Sequence, residues 1–205
     1  RLYEPLATIL KKLIFILFFG LCACKSGFDS SAKQCVEKKE SETLKQAVDL
    51  FEWKIQKKYP NVSKEAAYFD FISDWSNKKL PMDFFQDSLE LKIRKMDLWT
   101  ESNRSERNMD LEKKLFNVDS MNPVRVKLGK EFSTCLGKST DLDGIRSFLH
   151  ANSKYRLSPR LAQNPLYRTS EHDMKKFENR LAIVLGVYYQ TMFNIKNTVA
   201  NTVYN

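Results

Sequence analysis

Apolar residues along this chain recur every three to four positions, the spacing of one helix face. Leu44, Ala47, Val48, Phe51 and Ile55 follow the i, i+3, i+4 pattern and predict a helix over roughly 32–58. Ser31 with Gln34, or Thr43 with Gln46, can form its opening capping box. Tyr59-Pro60 ends it, because a residue before proline is pushed out of the helical region. Ser63 caps a second helix carrying Phe69, Ile72 and Trp75, which stops at Lys78-Lys79-Leu80-Pro81. Asp83 with Gln86 opens a third, with the stripe Phe85, Leu89, Ile93, Met96 and Trp99. A fourth runs through Met109, Leu111 and Leu115.

Asn122-Pro123 sets an N-cap before a proline at the first helical position, and Gly137 reads as the stop of that segment. Val124 to Leu128 alternates apolar and charged residues and could form a short strand instead; helix is the expectation. Asp141 caps a sixth helix through Ile145, Phe148 and Leu149. Residues 153–169, with Pro159 and Pro165, read as a long loop pinned down by Tyr155, Leu157, Leu161, Leu166 and Tyr167.

The last helix has the clearest pattern. Ser170 with Asp173 opens it, and Met174, Phe177, Leu181, Val184, Leu185, Tyr188, Met192, Ile195, Val199 and Val203 share one sector at 100° per residue. Ile183, Val187, Tyr189 and Phe193 cover the other faces, so its middle should be buried all round. Gly186 there permits a close helix approach. Gln190, Asn194, Asn197 and Asn201 form an uncharged polar stripe, read as either a partner-binding face or a solvated one. Trp53 lies off its helix's main stripe and is expected to pack on a neighbouring helix. The whole predicts an all-α fold: a single helical bundle of about six to seven helices, over 32–205, around a long C-terminal helix.

The N-terminal pattern is different. Lys11-Lys12 precede the apolar run Leu13 to Ala23, about half the length of roughly 20 residues that a membrane-spanning helix needs. A retained anchor or a buried helix is the alternative to a cleaved leader. Leu21-Cys22-Ala23-Cys24, following that run, resembles the lipobox of a bacterial lipoprotein signal peptide. The resemblance implies cleavage after Ala23, so that 1–23 is a signal peptide, and lipidation of Cys24. Residues 1–9 are expected to precede the true translation start, at Leu10. Residues 24–31 then form the lipidated cysteine and a small, polar tether. Lys25 stands where an aspartate would retain some lipoproteins in the inner membrane. The resemblance therefore points to the outer membrane of a diderm bacterium, facing the periplasm.

Composition supports a folded domain: aromatics make up 12% of residues, with six glycines and six prolines. The formal charge is +9, and +7 once residues 1–23 are removed. Lysines and arginines are scattered among acids, with no arginine-rich arm or RNA-recognition motif, so no nucleic-acid partner is expected. Weak attraction to anionic lipid headgroups, or simple solvation, accounts for the excess. With Cys24 lipidated, Cys35 and Cys135 remain of the four cysteines. They are candidates for a disulfide in an oxidising compartment, or two buried thiols.

Searches for chemistry are negative. Leu136-Gly137-Lys138-Ser139 resembles the end of a phosphate-binding loop, but Phe132 stands where its first glycine must be. Asp141-Leu142-Asp143-Gly144 fails as a calcium loop, since Arg146 and His150 occupy positions that need an aliphatic and a bidentate glutamate. The two histidines, His150 and His172, lack metal partners at useful spacing, so no metal or cofactor is expected. Ser30 with Lys33 and Ser76 with Lys79 match serine-x-x-lysine without companion motifs. The expectation is a non-catalytic envelope lipoprotein that binds or scaffolds another envelope protein. Alternatives are an immunity or inhibitor protein against a toxin, and an envelope hydrolase whose site is built from scattered residues.

Overall fold

The structure is a computed structural model and describes residues 32–102, 125–154 and 159–203. The leader, Cys24, the tether and the helix expected around Met109, Leu111 and Leu115 lie outside the described residues. The fold is all-α apart from one small two-stranded sheet. A 3-10 turn at Ala32–Cys35 leads into α1 (Lys38–Lys58), followed by α2 (Lys64–Ser76) and a 3-10 turn at Met82–Phe84. Then come α3 (Glu90–Arg94), β1 (Trp99–Ser102), β2 (Arg125–Leu128), α4 (Lys130–Lys138), α5 (Asp143–Lys154) and α6 (Pro159–Leu166). A 3-10 turn at Glu171–Lys175 precedes α7 (Phe177–Ile183), which runs through a π turn (Val184–Tyr189) into α8 (Gln190–Val203).

Residues 177–203 thus form one continuous rod, and α1, α5 and β2 pack against it. Every residue from Leu181 to Tyr189 is buried, as the all-round apolar pattern required. Phe51 of α1 anchors the packing, with its ring centroid 4.8 Å from Phe71, 5.5 Å from Tyr68 and 5.0 Å from Tyr188. On the opposite side, Phe148 of α5 lies so close that a Cβ on Gly186 would stand 2.8 Å from its Cε1. Only glycine leaves room for that crossing.

The π turn has a visible cause. The N–H of Gln190 bonds to Leu185 O, five residues back, and skips Gly186 O. Asn152 of α5 donates to that bypassed carbonyl at 3.3 Å. A tertiary partner therefore supports the wider turn, which the helical ladder alone would not favour.

Several expected elements take another form. The third helix, expected through Phe85 and Trp99, is a 3-10 turn, five residues of α3 and then β1. Asp87 Oδ1 accepts from the N–H of Leu89 at 2.8 Å, a local turn that competes with helix. Lys54 takes the carbonyls of Phe84 and Gln86, which a helix would need for itself. Residues 125–128 are a strand, not helix. Val126 and Leu128 point into the core while Arg125 and Lys127 point away, a period of two. The strands are antiparallel, with Trp99 opposite Leu128 and Thr100 opposite Lys127.

The expected loop 153–169 contains α6. Pro159 is its first residue, where a missing N–H costs nothing, and Leu166 is fully buried. Tyr167 is exposed and pins nothing. Gly137 lies within α4, whose cap is Ser139. Asp141 does not cap α5, because its carboxylate bonds Lys176 Nζ at 2.7 Å. The start of α1 is set by Glu40, whose carboxylate accepts from the N–H of Glu37, and neither expected capping box is used. Ser63 caps α2 as anticipated, accepting from Ala66 N at 3.0 Å. Ser170 and Asp173 also pair as anticipated, but they open the 3-10 turn, and the rod itself starts at Phe177. Trp53 is 61% exposed, with Lys57 Nζ 5.3 Å from its ring, and does not pack on a neighbouring helix.

Candidate functional site

Among the described residues, three polar clusters and one groove bring together side chains capable of chemistry. The first cluster is centred on Glu52 of α1. Its Oε1 accepts from Arg180 Nη1 at 2.7 Å and Tyr68 OH at 3.1 Å, and its Oε2 faces Lys64 Nζ at 3.1 Å. Arg180 belongs to α7 and Tyr68 to α2, so one carboxylate ties three helices together. Burial, then the neighbouring Glu52 charge, pushes the Tyr68 phenol well above its ordinary range. Both carboxylate oxygens are engaged by cations or a phenol, the arrangement of a structural tie between the three helices.

The second cluster surrounds Lys54. Its Nζ donates to Phe84 O at 2.5 Å, Gln86 O at 2.6 Å and Tyr188 OH at 2.8 Å, and lies about 5 Å from the Phe84 and Tyr188 rings. Burial draws its pKa down, opposed by Asp87 and Asp83. A lysine with a lowered pKa can mark a nucleophile. Here three acceptors use all three ammonium N–H bonds, a geometry that suits the charged form and leaves no lone pair to attack. The phenols of Tyr188 and Tyr189 are pushed far upward by burial first and by the Asp87 carboxylate second. Asp87 Oδ2 and Tyr189 OH are buried without a hydrogen-bond partner of good geometry among the described residues. This cluster clamps the 82–87 segment onto α1 and the π turn.

The third cluster is the polar stripe of α8. Asn194 accepts from Val126 N at 2.9 Å and donates to Val126 O at 3.0 Å, matching the strand as a neighbouring backbone would. Gln190 accepts from Leu128 N at 3.3 Å and donates to Asn152 Oδ1 at 3.0 Å. These two residues are therefore neither solvated nor a partner face: they seat β2 on the rod. Asn197 Oδ1 lies 3.5 Å from Arg94 Nη2, and the side chain of Asn201 lies outside the described residues. The stripe is uncharged because amides satisfy a strand's N–H and C=O groups without the cost of burying ions.

Cys35 and Cys135 are joined by a disulfide with Cα atoms 5.6 Å apart, tying the 3-10 turn at Ala32–Cys35 to α4. His150 and His172 are both exposed and lie on different elements. Among the described residues no group of three or more His, Cys, Asp or Glu is placed to hold a metal ion. Nor is any described helix long and apolar enough to cross a membrane.

The groove lies between α4 and α5. It is a cavity of about 430 Å³, lined by Lys130, Lys138, Arg146, His150 and Lys154 together with Ser133, Thr134, Gly137 and Ser153. No acid lines it. Arg146 forms an ion pair with Asp143, which is largely in water at the margin. Lys127 adds charge at the rim, donating from Nζ to Ser153 O at 2.8 Å. Ser133 is 3% exposed, and its hydroxyl has no partner among the described residues. Sequence reading singled out Gly137, Lys138 and Ser139 only as a failed phosphate loop. It missed the groove because its cations come from two helices whose crossing is a tertiary fact.

No protein-family model, curated protein or solved structure matches this chain.

Proposed function

We propose that this protein is a lipid-anchored component of the bacterial cell envelope with a non-catalytic binding or scaffolding role, held at the outer membrane and facing the periplasm. The lipobox-like Leu21-Cys22-Ala23-Cys24, after two lysines and a short apolar run, supports the address. A disulfide between Cys35 and Cys135 suits an oxidising compartment. The non-catalytic half rests on one observation. Glu52, Arg180 and Lys54 are engaged with one another or with backbone and phenol partners, and none of the three lines the groove. The α4–α5 groove instead presents lysine and arginine side chains, and no acid lines it to pair with them as general acid and base.

The anchor is tested by expressing Cys24→Ala with a radiolabelled or alkyne-tagged fatty acid. The parent chain should take up the label and sediment with membranes after cleavage, and the variant should do neither. Equal labelling of the two would refute the lipobox assignment.

A further inference from the structure

We propose that the α4–α5 groove is a binding site for a phosphate group, carried either by a small soluble molecule or by an anionic lipid head. This deepens the binding role above and rests on that reading, but it does not depend on the lipid at Cys24. Three lysines and an arginine, Lys130, Lys138, Lys154 and Arg146, line one cavity with no acid among its lining residues. Like charges gathered on one wall repel, and among the described residues the one ion pair that any of them makes is the peripheral one from Arg146 to Asp143. An anion in the groove removes that repulsion, and a concave wall focuses the attraction. Arginine and lysine are the side chains that hold phosphate oxygens, the first through a planar fork and the second as a point charge.

The hydroxyl of Ser133 is an independent sign. A serine inside a helix normally satisfies its hydroxyl from a carbonyl one turn back or from water. That of Ser133, a residue lining the groove, is buried without a partner among the described residues, so an acceptor oxygen admitted by a small shift of its neighbours would complete it. Thr134 and Ser153 add hydroxyl donors, and His150 an imidazole, on the same walls. Gly137 keeps the floor open, since the nearest side-chain atom to a Cβ there would be Leu149 Cδ1 at 4.0 Å. The cavity falls in the size range of small-molecule sites, so it has room for a phosphate together with the group that carries it.

The test uses the full-length protein in a non-ionic detergent at near-physiological salt, which screens diffuse charge attraction. Inorganic phosphate is titrated while backbone amide resonances are followed. The same titration is repeated with micelles doped with phosphatidylglycerol and, as a control, with phosphatidylcholine. The amides of Ser133, Thr134 and Gly137 should shift saturably, with a Kd on the order of 1 mM for phosphate alone. Lys138→Glu/Lys154→Glu, two exposed changes, should weaken binding at least about tenfold, or ~1.4 kcal/mol. Ser133→Ala keeps the fold, because its hydroxyl has no partner to lose, and should weaken binding severalfold. Saturation by phosphate assigns a soluble ligand. Saturation by the phosphatidylglycerol micelles alone assigns a lipid head. Shifts that never saturate with either probe, or that survive the double charge reversal, would overturn the proposal.

Discussion

Glu52→Gln removes one negative charge from the centre of the α1–α2–α7 junction and leaves the side chain's shape almost unchanged. In the parent, Glu52 is 9% exposed and the side chain of Arg180 is 14% exposed. Arg180 Nε already lacks a partner, so its charge is balanced chiefly by the 2.7 Å contact from Nη1. Glutamine keeps an acceptor for that bond but leaves the guanidinium desolvated without a counter-charge. Breaking a buried pair from one side costs about 3–5 kcal/mol. Lys64 contributes little to the loss, because its side chain is 38% exposed and regains water; exposed pairs are worth roughly 0–1 kcal/mol. The retained amide bond offsets part of the cost, so about 3 kcal/mol is expected. At roughly 2–4 °C per kcal/mol for a chain of this size, Tm should fall by about 6–12 °C.

Arg180→Met should cost a similar amount, since it strands the carboxylate instead. The double variant Glu52→Gln/Arg180→Met holds no uncompensated buried charge. It should lose at least about 1.5 kcal/mol less than the sum of the two single losses. Urea unfolding followed by tryptophan fluorescence, with the disulfide intact, measures all three. A loss under about 1 kcal/mol for Glu52→Gln, or strict additivity, would refute the view that this carboxylate is the electrostatic centre of the fold.

The remaining expectations concern covalent, steric and backbone contributions. Cys35→Ser/Cys135→Ser opens a loop with a sequence separation of 100, worth about 4.7 kcal/mol in the chain-entropy model; an unchanged urea midpoint would reject that contribution. Gly186→Ala places a Cβ 2.8 Å from Phe148 Cε1, and overpacking of about 1–3 kcal/mol should outweigh the usual gain of about 0.5–1 kcal/mol for alanine in a helix. Combining it with Phe148→Leu should recover much of the loss, and no recovery would place the strain elsewhere. Asn194→Ala leaves the N–H and C=O of Val126 without their side-chain partner, at about 1–3 kcal/mol per buried group. Hydrogen exchange should then quicken at Val126 and Leu128 while α1 stays protected; uniform quickening would contradict a local docking role.

The candidate site was legible only in fragments. Along the chain Lys138 and Arg146 enter only through a phosphate loop and a calcium loop that both fail, and Lys130 and Lys154 belong to no motif. Nothing local marks them as a set until α4 and α5 lie side by side. The polar stripe was visible as a stripe, but its purpose was not. Gln190 and Asn194 are spaced one helical turn apart, which a solvated face and a strand-docking face share equally. The partner is β2, and its strand character depends on the register that Val126 and Leu128 take against the rod.

What the sequence determined by itself is the helical framework. The apolar period of α1, the serine cap at Ser63 and the all-round burial of residues 181–189 follow from local spacing and propensity, which act within a turn or two, whereas α2 buries Tyr68 and Phe71 and leaves Phe69 and Trp75 of its expected stripe partly exposed. Tertiary structure decided the departures. Lys54 captures the carbonyls of Phe84 and Gln86, so the expected third helix is cut short. Asn152 supports the bypassed carbonyl of Gly186, so the rod carries a π turn. Cys35 and Cys135 meet although 100 positions separate them. In each case a partner far away in sequence supplies a bond or a contact that outweighs the local preference, and only the folded chain brings that partner within reach.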